Sequence, residues 1–312
     1  MSLSIAVAIP TFQRGELLVA TIEALLRLAR PPDEMVIADQ SPEHSPEVEA
    51  KLRELESRSA LRWLRFAEPS IPRSMNAALI EARSDLVLFL DDDIVPGESL
   101  VEAHVRAYDG EAIAAVAGQV LQPGEEVVDG ELRCARSGLL ADLQFPFNHA
   151  RGALVSNVMA GNLSVRRTRA IEIGGFDENF TGAAYRFETD FARRLIAAGG
   201  MIRYEPRASI RHLKANKGGL RTFGDHLRVA SPVHTTGDYY FAFLNGRVRE
   251  IVPYLVRRMR KSILTRYHLR HPWRIPAKVV SEVRGLLAAR ELVRAGRRLL
   301  PPGERASRAL PC

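Results

Sequence analysis

The chain has 312 residues, 46% of them hydrophobic, which is enough for one large domain or a domain with an appendage. Its two cysteines, Cys134 and Cys312, offer neither a disulfide framework nor zinc-ligand spacing, and no apolar run reaches the roughly 18 residues of a membrane-crossing helix. The net charge of +7 is uneven: residues 241–312 carry 17 Lys/Arg against 4 Asp/Glu, so the first 240 residues are mildly acidic and the tail is strongly basic. Such asymmetry points the tail toward an anionic partner, a membrane surface or a polyanion.

The opening "MSLSIAVAIP" lacks the basic and long apolar regions of a leader and reads as a first strand over 3–9, ended by Pro10. Residues 16–29 place Leu18, Ile22, Leu25 and Ala29 on one helical face, and Pro31 and Pro32 stop that helix. An apolar run at 35–38 precedes Asp39, a further strand is expected at 61–66, a helix at 74–82 and a strand at 86–90. Strands alternating with helices predict parallel βαβ units, in which ligands gather at the carboxyl ends of the strands. Pro10, Thr11, Asp39 and Asp91–Asp93 all fall there. Another strand follows at 113–120, then an irregular stretch at 121–152. A helix over 188–199 ends at Gly199–Gly200, and short strands follow at 201–204 and 208–212. From about 241 the pattern is helical and rich in arginine.

Four constellations carry chemistry. In "LVLFLDDDIVPG", Asp91 and Asp93 lie two apart along an extended backbone, so both carboxylates point the same way and suit a hard divalent cation such as Mg2+. A solvated turn is the competing reading of three adjacent acids. In "RFETDFARRL", Glu188 and Asp190 sit at a helix start, where acids either complement the helix dipole or act as a general base. His212 ends a short strand and is a candidate ligand once a metal is argued. Asn162 precedes a strand, where its amide would meet a sugar hydroxyl or tie down a loop, and "GGFDE" at 174–178 reads as a tight turn that needs glycine.

In order, "VAIPTFQR", "VIADQSP", "SIPRSMNAAL", "LVLFLDDD", "AGNLSVRRTRAIEIGGFDENF", "ETDFARRLIAAGG" and "YEPRASIRHLK" resemble the family 2 glycosyltransferases over about residues 3–215. The resemblance implies a GT-A fold, a Rossmann-like mixed α/β sheet flanked by helices, over 1–240, with a basic, mainly helical region over 241–312. It also implies inverting transfer of a sugar from a nucleotide diphosphate donor to a hydroxyl of a polysaccharide, lipid-linked or natural-product acceptor, assisted by Mg2+ or Mn2+. On that resemblance Pro10, Thr11, Asp39, Arg73, Asp91 and Asp92 would meet the nucleotide sugar. Asp93, Asp91 and His212 would hold the metal. Glu188 would be the base with Asp190 in reserve, and Asn162 and Tyr185 would face the acceptor. The chain departs from the family pattern at "ADQS", where a second acid and a glycine are usual, and at Ala77 and Ala78, where a glycine is usual.

Two rival readings differ in class. A strand followed by "DDDIV" also resembles the first motif of haloacid-dehalogenase-type phosphatases, although two βα units precede it here. Residues 247–274 interleave arginine with Ile, Leu, Tyr and Trp273, as a basic amphipathic helix on an anionic membrane would. That suggests a cytoplasmic protein with peripheral contact at the inner face of the membrane. No nucleic-acid-binding motif accompanies the charge.

Overall fold

The computed structural model describes residues 3–134, 138–215, 217–219, 227–228 and 230–301. The α/β alternation expected from the sequence is present. β1 (Ile5–Thr11), β2 (Glu34–Asp39), β3 (Arg62–Arg65) and β4 (Leu86–Leu90) form the parallel half of one mixed sheet, connected by α1 (Gly15–Leu26), α2 (Pro46–Ser57) and α3 (Ile71–Glu81). β1 and β4 are almost continuously apolar because both faces of the sheet are covered. The helix α2 has a diluted apolar face of Val48, Leu52 and Leu55 among charges, which hides it from a periodicity reading.

The second half holds β5 (Ile94–Pro96), α4 (Leu100–Arg106), β6 (Ile113–Leu121), β7 (Ala153–Val155), β8 (Asn162–Arg166), α5 (Arg167–Glu172), α6 (Phe187–Ala197) and β9 (Met201–His212). The sheet order is β3-β2-β1-β4-β8-β6-β9-β5, with β7 also paired to β9. β8 is antiparallel to both β4 and β6, which makes the sheet mixed. The two short strands expected at 201–204 and 208–212 are one strand. Its register against β6 jumps between Gly118 and Gln119, opposite Glu205 and Ser209, so Pro206, Arg207 and Ala208 bulge out. Pro206 has no N–H to give to a ladder, which accounts for the break in pattern.

β5 lies four strand positions from β4 in the sheet order, yet only Asp91–Asp93 connect them. Four spacings in a flat sheet would need about 19 Å, and four Cα steps reach at most about 14 Å. The outer edge therefore curls back toward the C-terminal end of β4, and Ile94 pairs opposite His212. That curl brings His212 beside the aspartates.

The C-terminal region is α7 (Thr236–Asn245), α8 (Val248–Ile263), α9 (Arg266–Arg270) and α10 (Ile275–Ala295). A domain boundary at residue 240 would fall inside α7, whose Tyr239, Tyr240 and Phe241 are fully buried. Past α10 the chain returns to the segment between α5 and α6. The Leu300 N–H donates to the Gly174 carbonyl, and the Glu178 N–H donates to the Arg298 carbonyl. The "GGFDE" turn is as expected, with both glycines at positive φ. A side chain at Gly175 would collide with Asn76, whose amide brackets the Phe176 backbone.

Candidate active site

The strand-end acids divide by direction. Asp92 points toward α1, accepting from the Thr11 hydroxyl at 2.7 Å and from Arg14 at 2.9 Å. Asp91 and Asp93 point together toward His212, and one ligand atom from each of the three lies within 4.8 Å of the others. The alternation of an extended chain thus gives Asp92 a structural task and leaves its two neighbours to share one space.

Arg14, which follows β1, offsets the charge. Its Nη1 lies 2.9 Å from Asp92 and 3.1 Å from Asp93, while its Nε donates to the Lys217 carbonyl. Sequence reasoning overlooked this residue. The signal was present in "PTFQR", where a cation follows a strand end that lies opposite three acids.

His212 has a defined orientation. Its Nδ1 donates to Gln122 Oε1 at 3.0 Å, and its Nε2 lies 3.1 Å from Asp93, donating to it when the ring is protonated and offering a lone pair when the ring is neutral. A histidine whose far nitrogen is so fixed is prepared to present a lone pair to a metal. Asp93 is fully buried. Burial alone would raise its carboxyl, but the hydrogen bond from His212, the Ala215 N–H and the Arg14 charge hold it below the usual range. The hydrogen bond to Asp93 in turn raises His212. Asp91 is 50% exposed at the lip, and desolvation by the groups around it pushes its carboxyl up against the pull of His212. Burial raises Asp92 to about 6 against the pull of Arg14 and Thr11.

Two carboxylates and an imidazole, with Asp91 open on one side, fit a divalent cation that keeps positions for other oxygen ligands. Gly161 makes room for this arrangement, because a Cβ there would sit 2.2 Å from Asp91 Oδ2. Gly161→Ala is expected to turn Asp91 away and weaken Mn2+ binding about 10- to 100-fold, the loss typical of disturbed ligand support. Titration calorimetry with Mn2+ reads this directly.

Glu188 lies in the first turn of α6, where its carboxyl accepts from its own backbone N–H and no other residue's side chain hydrogen-bonds or ion-pairs with it among the described residues. Burial pushes its carboxyl up to about 7, and the charges of Asp238 and Asp91 reinforce that against Arg186. Asp190, two residues on, is a different kind of group. It is fully buried and accepts from Arg194 at 2.9 Å, Arg297 at 2.7 Å and Asn245 at 2.9 Å. Its carboxylate oxygens are committed to these donors, which gives the reserve base of the sequence reading a structural task.

Other expected contacts also change. Asn162 is fully buried, its amide nitrogen donating to the Gln119 and Ala208 carbonyls and its oxygen facing His104 Nε2. It ties the β9 bulge to β6. Asp39 is fully buried under His44, Trp63 and the Ser41 N–H, bonds that overcome its desolvation and keep it ionised. Its oxygens are held by these three donors at the end of β2. The Thr11 hydroxyl serves Asp92. Pro10 stays at the partly exposed end of β1. Arg73 lies in the first turn of α3 with its guanidinium donating to the Glu68 carbonyl. Tyr185 is 44% exposed beside a cavity. Phe145 and Phe147 pack edge-on against each other and Tyr204 in the core.

The family model described as Glycosyl transferase family 2 matches residues 6–188, well over half of the chain. The chain belongs to this family. The phosphatase reading is not favoured, since the match starts at β1 and takes in the three βα units ahead of the aspartates. Among curated proteins, the Pre-mycofactocin glycosyltransferases of two Mycobacterium tuberculosis strains (CDC 1551 / Oshkosh and ATCC 25618 / H37Rv) are each 30% identical over 141 residues. The matched part is 44% of this chain and 28% of each relative's length. The mannosyltransferase PcManGT from Pyrobaculum calidifontis, solved with GDP-Man and Mn2+, superposes with a TM-score of 0.56 at 17% identity, covering 95% of this chain and 80% of that one. GalNAc-T7, solved with UDP, GalNAc and Mn2+, gives the same TM-score at 12% identity, over 67% of this chain and 44% of its own. These likenesses show the GT-A fold of this family 2 glycosyltransferase.

Proposed function

We propose that this glycosyltransferase moves a sugar from a nucleotide diphosphate donor to an acceptor hydroxyl with inversion, in one displacement. The acceptor is a polysaccharide, a lipid-linked glycan or a natural product. The observation that carries this reading is the pairing of an Asp91–Asp93–His212 ligand set with a Glu188 that no other side chain ion-pairs among the described residues and whose carboxyl is raised to about 7.

Asp91, Asp93 and His212 would hold Mg2+ or Mn2+, which when bound neutralises charge growing on a diphosphate leaving group. Both solved neighbours were captured with Mn2+ and a nucleotide or nucleotide sugar, which supports this assignment. Glu188 takes the proton of the acceptor hydroxyl. The hydroxyl oxygen bonds to the anomeric carbon on the face opposite the diphosphate, and the breaking bond leaves its electron pair on the diphosphate oxygen. No enzyme-bound sugar intermediate is required. Incubation with a panel of nucleotide sugars, with and without Mn2+ and read by mass spectrometry, tests the reading. Metal-dependent loss of one donor supports it, and phosphate release from a simple phosphoester without any nucleotide sugar would return the phosphatase.

The base acts ionised, so the transfer rate is expected to climb with pH and level off above about 7. A bound cation would draw the midpoint lower. A pH–rate profile that falls across this range would remove Glu188 from the role.

The basic region supports a peripheral membrane contact. Val248, Val252 and Val256 recur at four-residue spacing along α8, and Trp273 is 67% exposed beyond it. Arg249, Arg260 and Arg270 accompany them at the surface. Among the described residues no helix is long and apolar enough to cross a membrane. Apolar side chains between arginines suit the headgroup region of an anionic leaflet. The protein is expected to co-sediment with vesicles containing phosphatidylserine and not with phosphatidylcholine alone. Glu at both Val252 and Val256 should abolish this.

A further inference from the structure

A cavity of about 610 Å3 lies between residues 140–146, Tyr185–Arg186 and the C-terminal helices α7, α8 and α10. It contains none of the Asp91–Asp93–His212 set, but it adjoins the base, because Tyr185 and Arg186 immediately precede the turn that carries Glu188. Gly237 of α7 packs on the Tyr185 backbone so closely that a Cβ would lie 2.3 Å from its carbonyl oxygen, which fixes the wall on that side.

The lining is charged in one sense. Among the described residues, six cationic side chains face the cavity against two carboxylates, Asp142 and Asp238. At the rear, Asp238 is shared by Arg186 and Arg258 and also accepts from the Tyr254 hydroxyl at 2.9 Å. From behind, Glu282 also meets Arg258 at 3.4 Å and Lys278 at 3.1 Å, so the rear cations are matched and the unmatched charge lies at the front. At the front, Arg257 and Lys261 stand one turn apart on α8. Arg257 donates to the neutral Gln144 side chain, and neither has a carboxylate partner among the described residues. Leu140, Leu143, Phe145, Pro146 and Tyr185 supply an apolar side to the same space.

We infer that this cavity receives the acceptor, and that the acceptor carries an anionic group, a phosphate or a carboxylate, on an apolar body. The anion sits between Arg257 and Lys261 with Arg258 behind, where a guanidinium fork and an ammonium match its oxygens. The apolar body lies along Leu143 and Tyr185, which aims the acceptor hydroxyl at Glu188. This rests on the transferase reading above and adds to it the acceptor's chemical class. The basic bias of the C-terminal region then has a second role beyond the surface, since α8 turns arginines both outward and into this cavity.

Calorimetry on the full chain with phenyl phosphate, benzoate and benzyl alcohol tests the inference. Phenyl phosphate or benzoate is expected to bind at least tenfold more tightly than benzyl alcohol, and the tighter of the two identifies the anion. Arg257→Gln and Lys261→Gln are each expected to weaken that anion about tenfold. Both positions are surface-accessible on α8, and thermal melting of the variants checks that the fold is kept. Equal binding of all three probes, or anion binding unchanged in the double variant, overturns the inference. Metal-dependent splitting of a nucleotide sugar by the unaltered protein is measured separately. If the donor is split and the anions do not bind, only this inference fails. If the anions bind and no donor is split, the transferase reading fails instead.

Discussion

Glu188→Gln is expected to slow transfer about 10²–10⁴-fold, the contribution of a positioned general base, with little change in donor or Mn2+ binding. The amide keeps the shape of the side chain and removes only its capacity to take a proton. Stability should not suffer. Burial lifts this carboxyl from its ordinary 4.5 to about 7, so the folded state holds the proton more tightly than the unfolded chain. Ionising Glu188 therefore costs stability as pH rises through that window, and an uncharged replacement avoids the cost. The variant should melt at or above the temperature of the parent at pH 8. Steady-state kinetics and a melting curve on one preparation separate the two effects. Full turnover in Glu188→Gln, alongside a folded but inactive Asp190→Asn, would move the base to Asp190.

Asp190→Ala is expected to act on the fold. It leaves Arg194 and Arg297, both half-buried, without the buried carboxylate they share, and breaking a fully buried pair costs about 3–5 kcal/mol, a ceiling here because Arg297 keeps Asp177 at 3.6 Å. That is a large part of the ~5–15 kcal/mol that holds a typical domain together. Arg297 lies beyond α10, and Asn245, which also donates to Asp190, ends α7, so the loss falls on the docking of the C-terminal region against α6. The two arginine charges hold Asp190 below its ordinary range against the burial that opposes them. The stabilisation is therefore present above the ordinary aspartate range and is lost as pH falls through the folded value. Urea denaturation of Asp190→Ala at pH 7 should show a lower midpoint, and the gap from the parent should narrow in acid. An unchanged midpoint at pH 7 would mean that the C-terminal helices are held by other contacts.

The contrast between these neighbours marks where a linear reading stops. Glu188 and Asp190 both read as acids in the first turn of a helix, and two residues apart on a helix they face different surroundings. Nothing local distinguishes a carboxylate with no side-chain partner from one met by Arg297, 107 residues away. The same limit applies to Asn162 and Asp39. Each stands at a strand end where ligands gather, and each is consumed by groups that arrive from distant parts of the chain, His104 and Ala208 for one and Trp63 for the other.

Properties set by near neighbours were legible in the residues alone. Apolar runs ending in polar residues located β1, β2, β4 and β6, because burial on both faces of a sheet demands them. The period of two placed Asp91 and Asp93 on one side, and the positive φ at Gly174 and Gly175 follows from a turn that other residues adopt only with strain. Tertiary structure alone decided the rest: the curl that sets His212 against the aspartates, the insertion of Arg14 among them, and the folding back of the basic tail to wall a cavity beside Glu188. The reason is physical. Hydrophobic period is repeated over many residues and read locally, whereas a charge acts at a point, and its partner is known only when the chain has closed on itself.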